Sequence, residues 1–188
     1  MSTASSLRGV DSPARLAATV VVGAGVEAAL AWRFGWSVAL PAYLVFGAVA
    51  TAVSATDLAA RRVPDRVTAP ALLGGAVLLA VASAHSGKWW PLGRAGIAMA
   101  VLGCFYLALG LVSKGGMGMG DVKWAGVVGL YCGWLGWPAP LDATLLAFAA
   151  AALVVIARRA CAPNGDRRVL PMAPFMAAGA LLAVLLAR

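Results

Sequence analysis

The sequence predicts an all-α polytopic membrane protein of about seven transmembrane helices with a cytoplasmic N-terminus. Three observations predict it. Hydrophobic residues make up 62% of the chain and charged residues 12%, where soluble domains run near half apolar and a quarter charged. A chain of 188 residues cannot hide that much apolar surface in a soluble core. Seven apolar segments approach the ~20 residues that a helix needs to cross ~30 Å of hydrocarbon. Basic residues fall between these segments in an uneven, alternating way.

The segments are 16–31, 36–55, 67–84, 95–113, 122–138, 141–157 and 169–187. The first contains Glu27, and its Ala29-Leu30-Ala31 resembles a signal-peptidase site. An acidic residue makes a poor signal core, so the span is expected to be retained. The second opens at Trp36 and closes just before Asp57. The third and fourth enclose the short loop with His85 and Lys88, read as solvated. The fifth follows a run of glycines and carries Gly126, Gly129 and Gly133 at helical spacing, a face for close helix packing. The sixth begins near Asp142, read as an anion at a helix N-terminus. The seventh contains Pro171-Met172-Ala173-Pro174-Phe175 near its start. Connections are short, which predicts one integral-membrane domain over 1–188 with 1–15 as a cytoplasmic tail.

Crossing all seven spans from a cytoplasmic N-terminus puts Arg8, Arg15, Arg61, Arg62, Arg66, Lys114, Lys123, Arg158, Arg159, Arg167 and Arg168 inside. Arg33, Lys88, Arg94 and Arg188 fall outside. Eleven against four follows the positive-inside rule. Trp32, Trp36, Trp89, Trp90 and Trp137 sit at the outer ends, as an aromatic belt would. The net charge of +8 is therefore topological, distributed among the loops, and no nucleic-acid partner is expected. The partner that the composition does imply is the lipid bilayer. Arg61, Arg62 and Arg66 could also meet anionic headgroups.

Cys104, Cys132 and Cys161 are scattered and form no C-x-x-C pair, so a zinc site is not expected and the thiols read as small hydrophobes. No cofactor and no metal is called for. Of the seven acidic residues, Asp11 and Asp166 lie in polar segments. Glu27 reads as a polar contact within the bundle. Asp57 and Asp121 stand apart. Each sits where a long apolar span meets an inner loop, at similar depth on the same side, and charge there is costly and usually functional. Two carboxylates sharing a site do not both ionise easily. The ionised one can take a proton from water, and the neutral one can hydrogen-bond to the carbonyl under attack. Read from topology alone, an Asp57–Arg61 pair one turn apart, with Asp121 as a helix cap beside Lys123, is an equal alternative.

The context of Asp121 tips the balance. Gly115, Gly116, Gly118 and Gly120 fall within six positions, too dense for a helix interior. They suit a bent backbone that approaches another chain closely and lines a cavity.

Gly118-Met119-Gly120-Asp121 matches the G-x-G-D motif of intramembrane aspartic proteases. The stretch 115–123 resembles the G-G-x-G-x-G-D-x-K pattern of type IV prepilin peptidases. Asp57 to Asp65 resembles that family's D-x-x-x-R-x-I-P-N segment, and 171–175 is similar to its P-F-G-P-F stretch. The resemblance covers most of the chain beyond the first span. It implies Asp57 and Asp121 as the catalytic pair of an aspartic endopeptidase. It implies an active-site loop of Gly115, Gly116, Gly118 and Gly120. It also implies a pilin-like precursor as substrate, cut at the cytoplasmic face of the bacterial inner membrane between a short basic leader and a hydrophobic helix. Lys123 matches the pattern and could contact substrate or tune Asp121.

The sequence departs from the family at Asp65, where an asparagine is usual, and a loop role is expected for it. No cysteine-rich cytoplasmic segment is present in the sequence, so the resemblance is to the shorter members, and it leaves methylation of the new N-terminus an open question. The rival function is a small proton-coupled transporter using the same carboxylates. It would favour midplane carboxylates and inverted repeats, and neither is evident.

Overall fold

A computed structural model describes residues 13–61, 63–113, 118–161 and 170–187. Among the described residues there are seven helices and no strand: α1 (Pro13–Phe34), α2 (Leu40–Ala60), α3 (Asp65–Ser86), α4 (Trp90–Val112), α5 (Met119–Leu135), α6 (Pro138–Cys161) and α7 (Ala173–Leu186). Five of them, α1 to α4 and α6, are long and apolar enough to cross a membrane, while α5 (17 residues) and α7 (14 residues) are shorter. The chain is a polytopic all-α membrane protein.

Proline marks most of the helix starts. It occupies the first turn of α2, α4 and α7, where its missing N–H has no intrahelical partner to lose. The ends use left-handed backbone. Gly87 closes α3 with φ 67° at no steric cost. Arg61 closes α2 with φ 51°, and among the described residues it is the one non-glycine with positive φ.

The centre of the bundle is α5. Ten consecutive residues, Trp124 to Gly133, are buried, so no stripe of this helix faces out. A helix apolar on every side belongs in an interior. Its aromatic side chains build the core with α2. Phe46 stacks on Trp124 and Tyr131, with ring centroids 5.9 and 4.7 Å apart. The Tyr43 hydroxyl donates to the Tyr131 carbonyl (2.8 Å), and the Tyr131 hydroxyl donates to the Ala71 carbonyl (3.0 Å). These bonds satisfy polar groups that would otherwise be orphaned at depth.

The expected glycine face is real and points at α4. A Cβ on Gly129 would lie 2.5 Å from the Ala98 carbonyl oxygen, and one on Gly133 would strike Ala98 as well. Gly126 has ordinary room, so two of the three glycines set the helix separation. By contrast α1 is peripheral. Leu30 is its one buried residue, and Val20, Val21 and Val22 face outward.

Several boundaries differ from the sequence reading. α2 runs past 55 to Ala60, because Ala55, Ala59 and Ala60 favour helix up to the break at Arg61. That puts Asp57 inside the helix, in its last turn. Asp65 is no loop residue: it opens α3 in the first turn, where its charge suits the helix N-terminus. α6 begins at Pro138, so Asp142 lies beyond the first turn, exposed, and does not cap the helix. Cys161 ends α6 instead of lying in a loop. Only Cys132 is a buried small hydrophobe, and Cys104 faces outward. The described part of α7 begins at Ala173, and residues 162–169 lie outside the description.

The two ends of the bundle differ in chemistry. At one end lie the end of α2, Val63 and Pro64, the start of α5 and the start of α7, with Arg61, Arg66, Lys123, Arg158 and Arg159. At the other lie Trp32, Trp36, Trp89, Trp90 and Trp137, all exposed. Arg94 caps the carbonyls of Gly133 and Trp134 there (2.7 and 2.6 Å), and Arg33 donates to the Ala187 carbonyl.

Candidate active site

The site lies at the basic end, where three helix termini meet. Asp57 comes from the last turn of α2. It is one of three buried polar or charged residues among those described, at 6% exposure. Its Oδ2 accepts a hydrogen bond from the Ala173 backbone N–H at 3.1 Å. Ala173 is the first residue of α7, so the donor is an N–H that the helix leaves without an internal partner. An anion fits that position because the terminus presents free N–H groups and a partial positive charge. The Asp57 carbonyl also accepts from the Arg61 N–H (2.9 Å), which closes the helix directly after the carboxylate.

Asp121 comes from the first turn of α5 and is half-buried. Gly118 precedes that helix in extended conformation, and its carbonyl accepts the Asp121 N–H at 3.0 Å. Asp57 and Asp121 stand near enough for a charge on one to be felt at the other. The fold thus brings together two carboxyls that lie 64 positions apart in sequence.

Gly120 makes the close approach that the glycine density suggested. A Cβ at this position would sit 2.8 Å from the Val63 Cβ and 3.4 Å from the Val63 nitrogen. Only a glycine lets the first turn of α5 press against the chain that follows α2. Gly118 has no such crowding. Gly115 and Gly116, also expected in the loop, lie outside the described residues.

Lys123 is exposed. Its ammonium bonds both Asp65 oxygens, each at 2.7 Å. Lys123, expected to contact substrate or tune Asp121, thus has its ionic partner on α3. The alternative pairing of Asp57 with Arg61 is not formed as a side-chain ion pair; Arg61 meets Asp57 through its backbone N–H. Among them, too, no cluster of three histidine, cysteine or acidic side chains could hold a metal ion. Glu27 packs against Gly47 with Oε1 buried and without a hydrogen-bond partner, well along α1 from the carboxyl pair.

An apolar cavity of about 460 Å³ runs beside the site between α1, α2 and α7. Leu58 and Pro174, the neighbours of Asp57 and Ala173, line its near end. The Thr51 and Ser54 hydroxyls on its wall bond back to the Gly47 and Ala50 carbonyls, which leaves the surface without free donors.

A profile of the type IV leader peptidase family matches residues 44–157, more than half of the chain. The chain belongs to that family. The match spans both Asp57 and Asp121. Prepilin leader peptidase/N-methyltransferase of Bacillus subtilis (strain 168) is 33% identical over 173 residues, 89% of this chain and 64% of that protein. The chain therefore spans a little under two thirds of the length of this curated relative. No solved structure matches.

Three features of the site lay beyond the sequence reading: the Ala173 N–H on Asp57, the Val63–Gly120 contact and the Asp65–Lys123 pair. The first had a signal in the Pro171–Phe175 likeness, which marked that segment without giving it a role. The others join residues more than 50 positions apart, and no local pattern encodes such a contact.

Proposed function

We propose that the chain is an intramembrane aspartic endopeptidase that removes the short basic leader of pilin-like precursors at the cytoplasmic face of the bacterial inner membrane. The observation that carries this reading is the convergence of Asp57 and Asp121 in terminal helical turns at the basic end of the bundle.

The chemistry follows from the pair. With one carboxyl ionised and one neutral, the ionised group takes a proton from a water molecule held between them as the water oxygen attacks the scissile carbonyl carbon. The neutral group hydrogen-bonds to the carbonyl oxygen as negative charge develops there. The proton taken from water then reaches the departing nitrogen, and the C–N bond breaks. Ala173 orients Asp57, and the Val63–Gly120 contact fixes the approach of Asp121. The positive-inside count supports the cytoplasmic placement of this end. A transporter built on these carboxylates would want them near mid-depth; here they occupy helix ends.

The test is purified protein in liposomes with a tagged pilin-like precursor from the same genome, followed by mass spectrometry of the product. Cleavage between basic leader and apolar helix, unaffected by a chelator, is the expected result. An intact precursor, or a cut inside the apolar helix, contradicts the proposal.

A further inference from the structure

The proposed chemistry requires Asp121 to be held at a fixed distance from Asp57, and α5 has no side-chain cap at its N-terminus. Contacts from across the site hold its first turn instead. On α5, Gly120 and Lys123 are three residues apart and share a face. Gly120 presses on Val63, and Lys123 bonds Asp65 through both carboxylate oxygens at 2.7 Å. Val63 and Asp65 flank Pro64, whose ring limits backbone rotation. This segment follows Asp57 by six to eight residues, beyond the end of α2 at Arg61, so the contacts that hold α5 lie close in sequence to Asp57.

We infer that the Asp65–Lys123 ion pair is a positioning clamp, which holds the first turn of α5 against the 63–65 segment and so sets the reach of Asp121 toward Asp57. The inference rests on the two-aspartate reading of the site. The pair is solvent-facing, with side chains 48% and 66% exposed. Exposed pairs contribute little to global stability, so its role is local geometry. Contact with both carboxylate oxygens centres the ammonium on Asp65 and limits the separation of the two side chains.

The experiment compares wild type with Lys123→Met, Asp65→Ala, Asp65→Asn and the exchange Asp65→Lys/Lys123→Asp in the liposome cleavage assay. A shift of about 1 Å at a catalytic group can cost about 100-fold. Lys123→Met and Asp65→Ala are expected to lower kcat by about 10- to 100-fold, with KM within about twofold and the thermal midpoint nearly unchanged. Asp65→Asn retains an intermediate rate, and the exchange recovers most of the loss. High salt lowers the wild-type kcat toward the Lys123→Met value and leaves that variant unmoved, since screening acts on exposed pairs.

A distance readout separates this inference from the activity on which it rests. Spin labels at Ala60 and Met119, both exposed, are placed in a background with Cys104, Cys132 and Cys161 replaced. Their distance distribution is expected to broaden in Lys123→Met and to narrow again in the exchange. Should wild type cleave nothing, the peptidase reading falls and the distances still decide the clamp. An unchanged distribution in Lys123→Met, full kcat in that variant, or an exchange no better than the single variants overturns it.

Discussion

Replacing Gly120 with alanine isolates the steric part of the site. The added Cβ would lie 2.8 Å from the Val63 Cβ, whereas carbon atoms rest at about 3.5–4.0 Å. The first turn of α5 must therefore back away by about 0.7–1.2 Å. Asp121 is the next residue and moves with it. Overpacking of this kind costs about 1–3 kcal/mol, and the gain in helix propensity from glycine to alanine returns about 1 kcal/mol. The net change in stability is thus small, about 0–2 kcal/mol. A displacement near 1 Å lowers kcat by about 100-fold. Cleavage kinetics and thermal unfolding on the same preparation read both quantities. The clash is with the Val63 Cβ itself, so Val63→Ala leaves it in place. Val63→Gly removes it and leaves the Val63 nitrogen at a tolerable 3.4 Å. The double variant Val63→Gly/Gly120→Ala is expected to recover at least tenfold of the lost rate, about 1.4 kcal/mol of barrier. Full activity in Gly120→Ala, or a double variant no faster than the single one, refutes the steric reasoning.

Other consequences follow from individual residues. Gly129→Ala drives a Cβ into the Ala98 carbonyl and should lower stability by about 1–3 kcal/mol, read as a fall in the thermal midpoint, with Gly126→Ala nearly neutral beside it. Glu27→Leu removes a buried oxygen that lacks a partner, so stability should rise by about 1–3 kcal/mol with cleavage unchanged; a loss of cleavage would give Glu27 a part in the reaction. Arg61→Gly relieves left-handed strain of about 1–2 kcal/mol, and the melting midpoint should rise. For orientation, Trp36→Cys should react with an impermeant maleimide in intact cells, and Arg66→Cys only after permeabilisation. The reverse pattern would put the candidate site on the outer face.

Much of this architecture was legible because membrane helices announce themselves by length and apolar content. All seven appear, with ends displaced by a few residues where alanine runs or prolines set the true boundary, as at Ala60 and Pro138. Asp57 and Asp121 were legible for a related reason. Charge near apolar spans is rare enough to stand out, and glycine density beside Asp121 marked an unusual backbone. Gly129 and Gly133 were readable as a packing face, though nothing local said that α4 would be its partner. What stayed hidden depends on tertiary contact. Asp65 looked like a loop residue because its meaning lies in Lys123, 58 positions away. The Ala173 N–H is a backbone group, and residue identity carries almost no trace of which helix terminus will meet a carboxylate. Asp142 was misread as a cap because Pro138 starts α6 a turn earlier.

The central claim is that Asp57 and Asp121 act together on a peptide bond. It is tested most directly by measuring single-turnover cleavage of a tagged pilin-like precursor by wild type, Asp57→Asn and Asp121→Asn, with folding checked by thermal midpoint. The account predicts cleavage by wild type and a loss of at least 1,000-fold, about 4 kcal/mol of barrier, in each variant alone, with both still folded. Cleavage that persists within tenfold of wild type in either variant would contradict it.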